Sequence, residues 1–365
     1  MPVYLHHIET AVPETAYPQT VAAEILKQAI ATDDRKTERL IQRLYSHSGI
    51  ETRHSVLGGF EHDGPGSQFH NLAEGTFRSP STEERNLIYT EAARRMAPEL
   101  AARVIDGCPG VSRGEITHLI TVSCTGFFQP GPDFAIVQAL GLSDSVERYH
   151  LGFMGCYAAF PALRMAQAFC LAQPDAVVLV VCLEFCSLHL QWSRETDDLL
   201  AGSVFADGIS GAIVRAQPPA HGGLQLDAFV SALAPAGEQD MAWTIGNEGF
   251  RMRLSSYVPE LIQNGITEAL APVLARTMLQ KDEIDHWAVH PGGRAILDRV
   301  ERGLGLPAES LTASREVLRN FGNMSSATIL FVLKAVQEQA RAGERIVALA
   351  FGPGLTIESA VLTRV

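Results

Sequence analysis

The sequence predicts an α/β fold built by internal duplication, and three observations carry that prediction. Short apolar runs alternate with stretches of helical spacing, the pattern of strands buried on both faces. Three segments of the first half recur, in the same order, in the second. A Pro- and Gly-rich segment, "RAQPPAHGGL" (215–224), divides the two.

Taken in chain order, "PSTEERNLIYTEAARRMAPELAARVI" (80–105) reads as a helix and "THLITVSC" (117–124) as a buried strand. "PALRMAQAFCLA" (161–172) is helical, and "AVVLVVCLEF" (176–185) and "AIVRA" (212–216) are strands. Beyond the junction come the strand "HWAVH" (286–290), the helix "ATILFVLKAVQEQARA" (327–342) and the strand "RIVALAF" (345–351).

The repeat is visible within these elements. "EITHLITV" (115–122) parallels "EIDHWAVH" (283–290), sharing Glu-Ile-x-His ahead of an apolar run. "GCYAAFPALRMAQAF" parallels "GNMSSATILFVLKAV", with Gly, one distinctive residue, small residues and then an amphipathic helix. A buried strand follows each, "AVVLVVCLE" and "RIVALAFGPG". The expected halves are residues 1–218 and 219–365.

Composition narrows the function. A chain of 365 residues, 46% of them hydrophobic, is long enough to bury a large core. No apolar run reaches 18 residues, so no membrane span is expected, and "MPVYLHHIET" lacks the features of a signal peptide. Six cysteines without a CxxC pair argue against zinc and a disulfide framework, and for a reducing cytoplasm. The net charge of −12 argues against nucleic acid as partner. It leaves room for a small anionic ligand, for which "RKTERLIQR" (Arg35, Lys36, Arg39, Arg43) is the densest basic cluster near the N-terminus.

Three residues carry the chemistry. Duplication puts Cys156 and Asn323 in equivalent positions, each after a glycine at an expected helix start, while His290 ends a strand before Pro-Gly-Gly. Ligands of α/β folds gather at such strand and helix ends. An unperturbed thiol has a pKa of about 8.5, and a helix terminus contributes only about 0.3–1 kcal/mol, so an imidazolium at His290 is the stronger expected lever on Cys156. Asn323 offers two amide donors to an oxyanion on a thioester carbonyl. The plain alternatives are a buried apolar cysteine, a core histidine and an Asn helix cap.

With these residues in view, the chain resembles the type III polyketide synthases, the chalcone synthase-like branch of the thiolase superfamily, and looks like a bacterial member. The matching motifs are "GFMGCYAAFPALRMA", "WAVHPGGRAIL", "NFGNMSSATILFVL", "FADG" and "FGPGLTIES", spread over the whole chain. The resemblance implies a homodimeric, thiolase-like αβαβα fold of five layers and no metal or prosthetic group, with coenzyme A thioesters as substrates. It implies that Cys156 takes a starter from acyl-CoA. His290 and Asn323 would stabilise the enolate of malonyl-CoA as CO2 leaves, and the extended chain would cyclise to a pyrone, resorcinol or related aromatic product.

The resemblance also implies lining residues. Phe205 matches a gatekeeper, and Met252 stands where a second phenylalanine is usual. Cys124, Gln129, Cys186, Leu188, His189 and Gly354 fall at substrate-cavity positions, with substitutions similar to those of members that accept fatty acyl starters. Of three basic coenzyme A contacts only Arg43 survives, Leu40 and His47 standing at the others; Arg39 and Ser325 complete the expected coenzyme A set. Glu184 is open between ordering water and pairing within the core. The alternatives are a thiolase-fold β-ketoacyl synthase making one condensation, a cysteine hydrolase acting through Cys156 and His290, and a non-catalytic acyl-binding partner.

Overall fold

The computed structural model describes residues 1–30, 34–58, 69–71, 76–220, 222–234, 240–255 and 257–365. Nine strands form its main sheet: β1 (Tyr4–Ala11), β2 (His118–Ser123), β3 (Glu147–Gly152), β4 (Val177–Phe185), β5 (Asp207–Arg215), β6 (Leu224–Leu233), β7 (His286–Val289), β8 (Arg345–Gly352) and β9 (Thr356–Arg364). Their spatial order is β7-β8-β9-β6-β1-β5-β4-β2-β3. The helices that matter for the site are α1 (Arg35–Ser46), α2 (Thr82–Asp106), α3 (Pro132–Leu140), α4 (Ala159–Ala172), α5 (Val258–Thr277), α6 (Arg294–Leu304) and α7 (Thr328–Gln339).

Strand alternation sorts the layers. Val178, Val180 and Cys182 of β4 join a core with α4 and α7, while Val177, Leu179, Val181 and Leu183 face α2 and α3. In β8, Ile346, Ala348 and Ala350 join the same α4–α7 core, and Val347, Leu349 and Phe351 face α5 and α6. With a side-chain period of two, each strand thus buries both faces, which is why these segments read as unbroken apolar runs. The result is the αβαβα arrangement, with α4 and α7 between two sheet halves. Within the main sheet the two halves pair where β1 meets β6, at Tyr4–Gln225 and Leu5–Leu224.

The duplication is carried in the strand connections. β2 runs parallel to β4, β4 antiparallel to β5, and β5 antiparallel to β1. β7, β8, β9 and β6 repeat that sequence of relationships. The Glu-Ile-x-His repeat has a physical cause. Glu115 and Glu283 each cap a short 3₁₀ turn by accepting a backbone N–H, from Ser112 and from Gln280, both at 2.7 Å. A further echo, "MAPELA" against "LAPVLA", puts Pro98 and Pro272 inside α2 and α5.

Two expectations are corrected. β5 begins at Asp207 rather than at residue 212, because the buried Asp207 carboxylate accepts the Val56 and Ser187 N–H groups and so a polar residue opens a buried strand. Cys156 and Asn323 also stand ahead of their helices rather than in the first turn. α4 starts at Ala159 and α7 at Thr328, after a 3₁₀ turn over Ser325–Ala327.

Candidate active site

A cavity of about 480 Å³ opens between the two sheet halves and is lined by Cys156, His290 and Asn323. All three are buried. Cys156 sits on the turn before α4. That turn depends on Gly155, whose φ of +93° favours glycine, and whose missing Cβ leaves room for Pro353 Cδ, 2.4 Å from where a Cβ would stand. The Asn323 turn is built the same way: Gly322 has φ +73°, and a Cβ there would lie 3.0 Å from that of Ala206. Each turn is therefore seated on a residue of the opposite half. This gives the FGPG and FADG motifs their steric role.

Asn323 is held by both backbone and side chain. Its N–H donates to Val204 O at 2.9 Å, and its carbonyl accepts from Ala206 N–H at 2.8 Å. Its Oδ1 accepts the Ser325 N–H at 2.9 Å, so the amide oxygen is engaged and Nδ2 is left as donor, with Gly292 O at 3.3 Å. The expected helix-cap role is not met, since Met324 and Ala327 hold the N-cap positions of the 3₁₀ turn and of α7; the amide oxygen instead pins the loop ahead of them. Ser325, at φ +48°, also lines the cavity.

His290 follows β7, its N–H bonded to Leu349 O at 2.8 Å, and among the described residues neither ring nitrogen has a hydrogen-bond partner. Burial pushes its imidazole down to about 3. Burial likewise pushes the Cys156 thiol up to about 11, with the Ser325 hydroxyl and the Asn323 amide pulling the other way. Desolvation disfavours the charged form of each group and so works against the expected thiolate–imidazolium pair. A neutral imidazole still supplies one N–H donor and one basic nitrogen.

Behind the cysteine, Cys124 Sγ accepts the Gly155 N–H at 2.9 Å. Glu184 accepts from Cys124 N–H and the Thr125 hydroxyl, both at 2.9 Å, and from the Ser326 hydroxyl. Burial raises this carboxyl to about 7. Of its two readings the structure supports the second: Glu184 bonds within the core, to hydroxyl and amide donors.

The far wall is aromatic. His189 stacks on Phe250 with centroids 4.2 Å apart, and Trp243 meets both edge-on. His189 accepts Phe250 N–H through Nδ1 at 3.0 Å, which leaves Nε2 to donate to Thr125 O at 2.8 Å. Burial pushes this ring down to about 3.

Of the residues singled out in the sequence, Cys124, Cys186, His189, Phe205, Met252, Arg43 and Ser325 line the cavity with the central three. Four expectations are not met: Gln129, Leu188, Gly354 and Arg39 do not line it. Leu188 belongs to the core beneath α2, Gly354 lies beyond the lining Pro353, and Arg39 is one helical turn from the end of α1 that reaches the cavity. Sequence reasoning missed Arg53, Ser187, Trp243 and Arg294, which also line it. Only Arg294, next to Pro-Gly-Gly, carried a readable signal.

Comparison with known proteins places the whole chain in one family. Residues 2–218 match the N-terminal domain, and residues 225–365 the C-terminal domain, of the family described as chalcone and stilbene synthases. The alpha-pyrone synthesis polyketide synthase-like Pks18 of Mycobacterium tuberculosis is 33% identical over 359 residues, covering 96% of this chain and 88% of that protein. The probable polyketide synthase 1 of Dictyostelium discoideum is 29% identical over 360 residues, which is 95% of this chain but 11% of that much longer protein. Among solved structures, PKS-I from the brown alga Ectocarpus siliculosus has a TM-score of 0.92 at 28% identity, covering 100% of this chain and 98% of that one. The C-terminal type III polyketide synthase domain of Steely1 from Dictyostelium gives 0.90 at 28%, covering 100% and 99%. The chain belongs to the chalcone and stilbene synthase family and is a type III polyketide synthase.

Proposed function

We propose that this synthase transfers an acyl group from acyl-CoA to Cys156, extends it with malonyl-CoA and releases it by cyclisation. The supporting observation is one cavity lined by a thiol, an imidazole with no hydrogen-bond partner among the described residues, and an amide donor. In loading, His290 takes the Cys156 proton, the thiolate adds to the thioester carbonyl, and coenzyme A leaves with that proton. This transfer creates charge as substrate fills the site, which suits two groups whose charged forms burial disfavours.

In extension, the malonyl carboxylate leaves as CO2 and its bonding pair passes into an enolate. His290 N–H and Asn323 Nδ2–H donate to the enolate oxygen. The enolate carbon attacks the Cys156 thioester, the Cys156 thiolate departs, and a β-ketoacyl-CoA two carbons longer remains. Every step is drawn from the thioesters and these side chains without a bound cofactor. Ring closure by an enol oxygen onto the thioester carbonyl, which breaks the C–S bond and releases the thiol carrying the enol proton, gives a pyrone, the product class named for the mycobacterial relative.

The same reading takes residues 1–218 as the half carrying the nucleophile and 219–365 as the half carrying its two partners. It takes the enzyme as a cytoplasmic homodimer, a view supported by exposed Phe127 and Phe134 near the edge strand β3. Among the described residues no helix is long and apolar enough to cross a membrane. Mass spectrometry of products from malonyl-CoA with short, aromatic and long acyl-CoA starters tests the proposal. Pyrone masses carrying two or more malonyl units are expected from the wild type and none from Cys156→Ala. Free acid alone, or a single condensation, would overturn it.

A further inference from the structure

The cavity opens toward a cationic rim. Its lining includes three arginines, Arg43, Arg53 and Arg294, against one acid, Asp198, in a chain of net charge −12. Asp198 is already paired with Arg251 at 2.7 Å. Arg53 points inward, donating to Gly202 O and Phe205 O. Arg43 and Arg294 are exposed, and His47 stands exposed beside them.

These two arginines come from opposite sides of the seam but share one edge of the opening. Arg43 lies in the last turn of α1, and Arg294 is the first residue of α6. A Cβ on Gly49, six residues after Arg43, would lie 3.3 Å from Arg294 Cβ and 3.7 Å from its Cδ. The Arg294 stem therefore crosses over the loop that leaves α1. Its guanidinium is scarcely engaged: the contact to Asp298 is 3.7 Å from Nε, and that carboxylate holds Arg315 at 2.8 Å. Among the described residues Arg43 makes no ion pair. No side chain caps α6, so its first N–H groups add to the positive edge. Beneath this rim the buried His290 keeps both ring nitrogens unpartnered.

A ligand suited to such a site is long, anionic at one end and reactive at the other. We infer that Arg294, together with Arg43, binds the phosphates of the coenzyme A thioesters, filling the role that Leu40 and His47 do not. It rests on the reading of the protein as an acyl-CoA-using synthase. A planar guanidinium bonds phosphate through two parallel N–H groups, which an ammonium does not reproduce.

The test compares malonyl-CoA and an acyl-CoA with the same acyl groups on N-acetylcysteamine, which lacks phosphate. Arg294→Ala is expected to raise KM for the coenzyme A thioesters about tenfold, about 1.4 kcal/mol, with kcat changed less than about twofold. Turnover of the N-acetylcysteamine thioesters should escape this loss, and Arg294→Lys should recover part of the KM. Titration calorimetry with coenzyme A and with pantetheine reads the same effect without turnover, since Arg294→Ala should narrow the gap between the two affinities. An unchanged coenzyme A KM, an unchanged gap, or equal losses on both substrate types would overturn the inference. A wild type that prefers coenzyme A over pantetheine through Arg294 yet forms no polyketide would leave the inference standing and defeat the proposed function instead.

Discussion

Gly155 and Pro353 interlock: a Cβ on the glycine would sit 2.4 Å from the proline Cδ and 3.1 Å from its Cγ. The turn carrying Cys156 is thus seated on the loop between β8 and β9. Gly155→Ala must either move that loop or strain a residue at φ +93°, at about 1–3 kcal/mol. We expect a lower Tm and at least tenfold slower starter loading. Gly114→Ala, which meets open space, should leave both unchanged.

Burial weighs against ionisation of the Cys156 thiol. With the Cys156 thiol pushed up to about 11, its thiolate fraction grows about tenfold per pH unit from 7 to 10. Iodoacetamide alkylation of the Cys156 peptide, followed by mass spectrometry, should rise in the same proportion. A plateau already reached below pH 8 would show a thiolate stabilised in the empty site.

His290 gives the acid limb of stability. Its folded value, about 3, lies below the unfolded value of about 6.5, so the unfolded chain binds the proton first and stability falls as pH drops below about 6.5. At pH 5 this amounts to about 2 kcal/mol. Chemical denaturation of His290→Gln should show a correspondingly shallower loss between pH 7 and 5. Malonyl-CoA decarboxylation by the same variant should fall by about a hundredfold or more.

Glu184 acts in the opposite direction. Burial raises its folded value to about 7, so the folded state holds the proton more tightly and stability is lost as pH rises through 7. The full effect is about 3 kcal/mol. Glu184→Gln should flatten the decline between pH 5 and 8 in the same denaturation experiment. An unaltered slope would mean that the carboxyl is ionised throughout that range.

Much of the site was legible because its chemistry is written beside its geometry. Cys156 and Asn323 each follow a glycine that the backbone requires, and His290 ends a buried strand. The failures are cases of direction. In the 3₁₀ turn Cys186–His189, three residues per turn bring Cys186 and His189 to one side, which leaves Leu188 for the core. Trp243 comes from a hairpin over 241–254 whose approach to the cavity no local pattern announces. The sequence points to Arg39 beside Arg43, whereas the cavity is lined by Arg43 and Arg294, because the cluster in sequence is not the cluster in space.

Because Pro353 shapes the cysteine turn and Ala206 the asparagine turn, each half serves as the mould for the other's reactive loop. Neither half is a smaller enzyme, and severing the chain between Arg215 and Leu224 should leave two inert fragments that regain activity only on reassociation. Parts that repeat one another in fold are mutually dependent in packing, and a change in one half's loop must be answered in the other's.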